Sequence, residues 1–564
     1  MQRIPFLVLI IYTLFSSELI CQNLNLKVSG KTDFETKIID SLNYLKFHKD
    51  YNSIEFEIDS IQSALFKKGF IENKLETLKQ INDSIFGAEI HLKSKYYTIY
   101  IYHNKGQVDD ETIQMISSQV FDDYFVLNFS EVENALNFIN SKISEKGFPF
   151  SKLKLSHIKI RDSSNLEAQL TVDSEAQKRM INNIIIKGYE KFPKSYLRYF
   201  LKIKPNETFD LAEIKKKSER LQNLRFANQI KPPEVLFTED STNLYLYIKK
   251  TKSNNFDGFL GFGTNDETNN LEFDGYLNLN LTNNLNYGES FRLIYKSDEN
   301  DQKTFNANLS MPYLFKSPFG IDLSLQIFKR DSSFTTTNQI GKLHYQISSK
   351  SKIYTGLNSS TSNNLLSNNN SQLISDYDAT YYSLAYEFLS QQPNNLLFPV
   401  KAALFLETSF GKRKTTNTSE KQTQLFIDAF KIINLNIRNS LYFRINGSSM
   451  DSDSYFENEL VRFGGINSIR GFEENSLYAS LFALINTEYR FQISNSIYIH
   501  TITDVAYFEN QITKIKEKLF GYGFGFGLLT KAGILKFNYA NGKTENQKFK
   551  LSNSKVHVSL IANF

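Results

Sequence analysis

The hydrophobic positions of this chain change period partway along. Up to about residue 252, apolar residues recur in helical stripes interleaved with short alternating runs. From about Phe256 to Phe564 nearly every run alternates between apolar and polar positions. The first part therefore predicts mixed helix-and-strand modules, and the second a long succession of strands with one apolar and one polar face.

Within the first part a layout recurs: a helix ending in a Gly-aromatic step, then two strand-like runs. In one copy Ile58, Ile61, Leu65 and Phe66 form a stripe leading into Lys67-Lys68-Gly69-Phe70, and runs 88–92 and 96–102 predict a hairpin. In the next, Val132, Leu136, Ile139 and Ile143 lead into Glu145-Lys146-Gly147-Phe148, followed by runs 153–160 and 166–172. The last opens with strand 184–188, continues through helices 195–201 and 211–224, and closes with strands 234–237 and 244–248. Three α+β modules are thus expected, over 22–104, 105–177 and 178–252.

In the second part, Leu271, Phe273, Leu277, Leu279 and Leu281 alternate with Glu272, Asp274, Asn278, Asn280 and Thr282, and comparable runs continue to the end. Sixteen such segments fall in 253–564, an even number as a closed single-chain barrel requires. Short connections at 348–350, 494–495 and 532–533 alternate with long polar ones at 362–375, 411–422 and 450–476. Both ends of the barrel segment then lie on the short-connection side. A soluble sandwich is the alternative, but such prolonged apolar-out alternation without a disulfide favours the barrel.

Composition narrows the classes further. Cysteine occurs once among 564 residues, at Cys21, so no intrachain disulfide or multi-thiolate zinc site exists. Lys+Arg 65 against Asp+Glu 60 gives only +5, which provides no field for nucleic acid. Mean hydropathy is −0.36, and past residue 20 no run approaches the roughly 18 residues a membrane helix needs. Phe 48 and Tyr 31 with no Trp suit the aromatic girdles of a barrel. There is no HExxH, GxSxG, Walker loop or CxxC, so no catalytic residue, cofactor or metal is expected. Arg3, the apolar run 4–15 and Ser16-Ser17-Glu18-Leu19-Ile20-Cys21-Gln22 read as a secretory leader over residues 1–21, cut before Gln22. Glu18-Leu19-Ile20 lacks the small residues that precede a lipidated cysteine.

Two stretches carry a resemblance to a known family. The β-α-α-β-β order of the modules resembles the POTRA domain. The connection after the eleventh barrel segment reads Val461-Arg462-Phe463-Gly464-Gly465-Ile466-Asn467-Ser468-Ile469-Arg470-Gly471-Phe472. It is similar to the inward-folded loop of the Omp85 superfamily, with Gly464, Gly465, Ile469, Arg470, Gly471 and Phe472 as the motif. Met311-Pro312-Tyr313, the run 533–540 and the terminal Phe564 resemble that family's fourth-strand end, penultimate strand and C-terminal recognition signal. The resemblance implies tandem POTRA-like α+β domains in the periplasm, followed by a 16-stranded antiparallel transmembrane β-barrel in the outer membrane. It implies a factor that inserts or translocates client outer-membrane or secreted polypeptides, with outer-membrane lipid and periplasmic or inner-membrane accessory proteins as partners. A two-partner secretion pore and a passive channel are the alternatives.

An arginine held inside a barrel needs a partner, because an uncompensated buried cation is costly. Alternation along the twelfth segment turns Asn486, Glu488 and Arg490 inward, and along the thirteenth His500 and Asp504. Arg470 is expected to pair with Asp504 or Glu488. Asp504 stands at the place of the family's lumenal acidic residue, although Ala506 replaces the usual glycine beyond it. On the fourteenth segment Gly521, Gly523, Gly525 and Gly527 share the inner face, leaving room for another backbone or for tight curvature.

Overall fold

Helices in the first part form where apolar residues fall on one face, and they end where glycine permits a left-handed turn. Tyr51–Lys67 buries Ile54, Ile58, Ile61 and Leu65 and stops at Gly69, whose φ is +98°. Val132–Glu145 buries Ala135 and Ile139 and stops at Gly147, φ +97°. The structure is a computed structural model describing residues 24–562 apart from 174–176, 265–270, 298–301, 367–372, 393–394, 531–532 and 549. The leader expected over 1–21, with Cys21, and the terminal Phe564 lie outside the described residues.

The described chain divides into two compact units. One runs to Met180 and includes Thr208–Leu211; the other comprises Ile181–Glu207 and Ala212 onwards. In the first unit, a four-stranded sheet has the order Phe47–His48, Leu24–Gly30, Ile85–His91, Lys74–Asn82. A five-stranded sheet follows, ordered Gln119–Val120, Tyr124–Asn128, Thr98–Tyr102, Asn165–Asp173, Lys152–Ile160.

This arrangement corrects the hairpin expected from 88–92 and 96–102. Ile85–His91 pairs instead with Lys74–Asn82 and, in parallel, with Leu24–Gly30. Thr98–Tyr102 opens the second module, antiparallel to Tyr124–Asn128 and parallel to Asn165–Asp173. The reason is burial: Ile99 and Ile101 complete a core with Phe125, Leu127, Leu166 and Ala168. By this pairing the second module starts before residue 105. Phe66, expected in the helical stripe, is largely exposed and meets Phe129 of the second module edge to face.

The third module pairs Asn183–Gly188 in parallel with Thr242–Lys250, which runs antiparallel to Ala227–Phe237. Its helices are Tyr196–Leu201 and Leu211–Ser218. Read from sequence as part of the arm, it forms one unit with the barrel.

Sixteen strands follow, each hydrogen-bonded to the next. We number them β1 Asn255–Thr264, β2 Leu271–Thr282, β3 Ser290–Ser297, β4 Gln302–Met311, β5 Phe319–Arg330, β6 Phe334–Ser348, β7 Ser351–Asn364 and β8 Tyr377–Gln391. The rest are β9 Val400–Lys414, β10 Ser419–Asn434, β11 Asn439–Asp451, β12 Leu481–Gln492, β13 Ile497–Asn510, β14 Ile515–Leu529, β15 Gly533–Thr544 and β16 Ser554–Ala562. β1 and β16 approach each other, so the sheet curls into a barrel. Leu323, Leu343, Ile353, Leu384, Leu406, Leu425, Ile485 and Phe524 stand exposed on the outer face. So wide an apolar band is unstable in water and is solvated by hydrocarbon.

The expected long connection 411–422 is only 415–418, because β9 and β10 continue their ladder to Lys414 and Ser419. Once past the apolar band the residues on both faces are polar, so alternation disappears while backbone pairing continues.

Candidate functional site

The loop between β11 and β12 folds into the barrel as a chain of short elements. A helical turn Glu457–Glu459 leads to Val461–Phe463, which pairs with Leu477–Ala479 and so closes residues 464–476 into a compact tongue. Gly464, Gly465 and Gly471 all take positive φ. The N–H of Ser468 donates to the Gly465 carbonyl at 3.1 Å, and that of Gly465 to the Ile469 carbonyl at 3.2 Å. Ile469 is fully buried against Phe463, Phe482, Leu484, Phe508 and Leu519, with Phe472 packed beside them. Phe463 stacks on Phe482 with ring centroids 4.7 Å apart. The apolar residues of the tongue thus seat it on the inner wall.

That seat delivers Arg470 to the wall's carboxylates. Its backbone N–H donates to Asp504 Oδ2 at 3.0 Å, Nε to the same oxygen at 2.8 Å, and Nη2 to Asp504 Oδ1 at 2.6 Å. Nη1 donates to Glu488 Oε1. Glu488 Oε2 accepts from Arg490 Nε at 2.7 Å. Arg470 is 5% exposed and Asp504 0%. A guanidinium stays protonated in proteins, so its burial is supportable only because both carboxylates face it with their charge. The structure brings Arg470 to Asp504 and Glu488 together, rather than to one of them.

The inner-face glycines divide by role. A Cβ at Gly521 would overlap the Arg470 carbonyl oxygen, so this position admits the tongue's backbone. Gly523 instead lies against the backbone of Tyr539, Gly525 against Asn538 and His500, and Gly527 against the Tyr498 ring. Those three accommodate neighbouring strands and their inward side chains.

Further residues hold the tongue, among them Gly542 and Arg444, which the sequence motif does not include, and the inward-facing Asn486. Gly542 on β15 lets Gly471 approach backbone to backbone. Arg444 Nη1 donates to the Asn467 carbonyl at 2.6 Å while Nε and Nη2 hold Asp428 at 2.8 and 2.9 Å. Asn486 Nδ2 donates to the Ser468 carbonyl at 3.0 Å. The signal for Arg444 was available: charged residues at inward positions of adjacent strands, Asp428 and Arg444.

The first leg of the same loop has its own anchor on the opposite wall. Arg413, 1% exposed, pairs with Glu420 Oε2 at 2.6 Å and with Glu459, and lies 4.2 Å over the Phe456 ring. Asn458 Nδ2 donates to Ser362 Oγ at 2.9 Å and to the Ser375 carbonyl at 2.8 Å. The loop therefore bridges the bore from β6–β10 to β12–β15. The polar run 411–422 predicts a connection at Arg413, because the ladder there has no apolar alternation. Among the described residues no group of His, Cys, Asp and Glu is placed to hold a metal.

At the short-connection end the third module meets the barrel's turns. Tyr189 OH donates to Asn286 Oδ1 at 2.6 Å, Tyr196 OH to the Gly288 carbonyl at 3.1 Å, and Tyr199 OH to the Lys316 carbonyl at 2.6 Å. The Tyr196 ring meets Tyr313 edge to face at 4.8 Å. Burial pushes its phenol pKa well above the ordinary range, with the nearby Glu289 carboxylate acting in the same direction.

Residues 180–251 match the POTRA family, described as a surface antigen variable number repeat. Among solved structures the chain is similar to BamA from Haemophilus ducreyi lacking POTRA domains 1–3, at 15% identity and TM-score 0.52 over 82% of this chain and 99% of that one. It is similar to CdiB from Acinetobacter baumannii at 14% identity and TM-score 0.53, covering 83% and 90%. It is also similar to CdiB from Escherichia coli at 11% identity and TM-score 0.51, covering 90% and 98%. No curated protein sequence matches the chain. What is shared at these identities is the fold: POTRA-like α+β modules before a sixteen-stranded antiparallel barrel.

Proposed function

We propose that the protein is an Omp85-type outer-membrane factor: periplasmic POTRA-like modules receive client polypeptides, and the barrel inserts or translocates them. The observation carrying this reading is the inward-folded loop, tied across the bore by Arg470 to Asp504 and Glu488. A passive channel gains nothing from a segment clamped through its lumen, or from sheet modules ahead of it. The likeness of fold to BamA and CdiB supports the same reading.

The chemistry it requires is backbone hydrogen bonding. An extended client segment can add to a free sheet edge with little dependence on its side chains. In the third module the edge Ala227–Phe237 carries Pro232 and Pro233, which lack N–H donors, so Asn183–Gly188 is the more receptive edge. In the second module Lys152–Ile160 is a long edge with Ile158 and Ile160 exposed. In the barrel, β1 and β16 form the seam. Opening it would expose two edges able to template a client strand in a bilayer that forbids unpaired backbone.

Depletion followed by envelope proteomics tests the reading. Loss of several barrel proteins is the expected result and identifies insertion; loss of one secreted polypeptide alone identifies export through the bore. An unchanged envelope would reject both. Prolines introduced into Lys152–Ile160 and Asn183–Gly188 that left client binding unaltered would reject the edge mechanism.

A further inference from the structure

The third module and the barrel enclose a cavity of about 880 Å³ at the short-connection end. Its lining is rich in amides and hydroxyls, such as Asn223, Asn280 and Gln326, groups that hydrogen-bond equally to the donors and acceptors of an extended backbone. Its charges are not balanced in the same neutral way. Each carboxylate in the lining is already engaged: Glu407 with Lys342 Nζ at 2.6 Å, Asp322 with His344 Nδ1, and Glu387 with Tyr354 OH. Against these three carboxylates the lining sets five cations, Lys342, Lys352, Arg225, Arg292 and Lys350; Lys352 faces Glu387 across the β7–β8 ladder, while Arg225, Arg292 and Lys350 make no ion pair among the described residues. Arg225 belongs to the module wall and Arg292 to β3, where its ladder neighbours are the uncharged Asn280 and Asn308. An excess of one sign within low-dielectric walls focuses the field and attracts the opposite charge.

We propose that this cavity is a receiving site for acidic stretches of an extended client polypeptide on their way into the barrel. The proposal rests on the polypeptide-handling reading above and adds to it a charge preference. Amides and hydroxyls hold the backbone whatever its sequence, while Arg225, Arg292 and Lys350 pair with Asp and Glu side chains, as basic clusters do with acidic motifs. A basic segment meets net repulsion here, because five cations face three carboxylates in the lining. The two arginines, more weakly hydrated than an ammonium, supply planar donors suited to bidentate carboxylate pairing.

The test uses the full chain in lipid nanodiscs with three fluorescent peptides of equal length and no helical tendency: one rich in Glu, one with Gln at those positions, one with Lys. Expected is binding of the Glu peptide about tenfold tighter than the Gln peptide and weakening by a similar factor on moving from low to physiological salt, as for screened attraction. A photo-crosslinker at Gln326 should capture the Glu peptide. Arg292→Gln and Arg225→Gln should each narrow the preference several-fold with the Gln peptide unaffected, and Arg292→Glu should narrow it further. The barrel's heat-modifiable migration and the Gln-peptide affinity report that each variant is folded. Capture that ignores peptide charge would overturn the preference and leave polypeptide handling standing. No capture of any peptide would overturn both. Labelling of the cavity by a photoactivatable anionic phospholipid in place of the peptide would overturn the proposal as well.

Discussion

The burial of Arg470 against Asp504 and Glu488 makes the lock sensitive to loss of one partner more than to loss of the whole set. Removing one member of a buried ion pair costs about 3–5 kcal/mol, mostly through the charge left behind. Arg470→Ala is therefore expected to free residues 464–476 and impair the proposed client handling, while the barrel still inserts and shows heat-modifiable migration. Protease sensitivity of the tongue measures the first effect. Adding Asp504→Asn to Arg470→Ala should restore part of the lost stability, because one stranded charge is removed. Glu35 offers a pH-dependent counterpart in the first module. Its carboxylate caps Asp33–Asp40 by accepting from Thr32 N–H, and also accepts from Leu92 N–H and bonds His91 Nδ1. Burial works to raise its pKa, but the His91 contact and the backbone donors outweigh it and hold the carboxyl below the usual range. A depressed folded-state pKa adds stability above the ordinary carboxyl pKa and loses it as pH falls through the folded value. Hydrogen exchange over Asp33–Asp40 should thus accelerate as pH drops below about 4.5 once intrinsic rates are divided out, and Glu35→Gln should flatten that dependence.

At the scale of elements, the loop between β11 and β12 is held at both legs by arginines on different walls. Arg413 secures the first leg through Glu459 and Glu420, and Arg470 the tongue. Because the two anchors share no side chain, their effects should separate. Arg413→Ala is expected to speed hydrogen exchange across 452–460 and raise single-channel current noise, while the tongue remains protected. Loss of protection at both legs together would show that the loop moves as one body. Thr98–Tyr102 alternates well enough to be recognised as a strand, yet nothing local says which sheet it joins. That choice was made by Phe125, Leu127, Leu166 and Ala168, which are distant in sequence. Lys74–Asn82 leaves no clear alternation in the sequence because it is an edge strand with no fully buried position.

For the whole molecule, the third module is docked on the barrel by aromatic residues that reach the turns 283–289 and 312–318. Removing a buried aromatic ring costs about 3–5 kcal/mol. Tyr196→Ala should accordingly broaden the spin-label distance distribution between the third module and the short-connection turns, with barrel strands unchanged; an unaltered distribution would mean that Tyr189 and Tyr199 suffice. The count of sixteen strands, the inward set Asn486, Glu488, Arg490, His500 and Asp504, and the Gly-aromatic helix stops were legible in sequence. Each depends on a period or a backbone requirement local to a few residues. Only the tertiary structure decided that both carboxylates share Arg470, that Gly521 and Gly542 rather than the whole glycine strip admit the tongue, and that Arg413 is an anchor. It also joined the third module to the barrel rather than to the arm. Those outcomes depend on which distant strands meet and on how deeply a side chain is buried, and local periodicity carries neither.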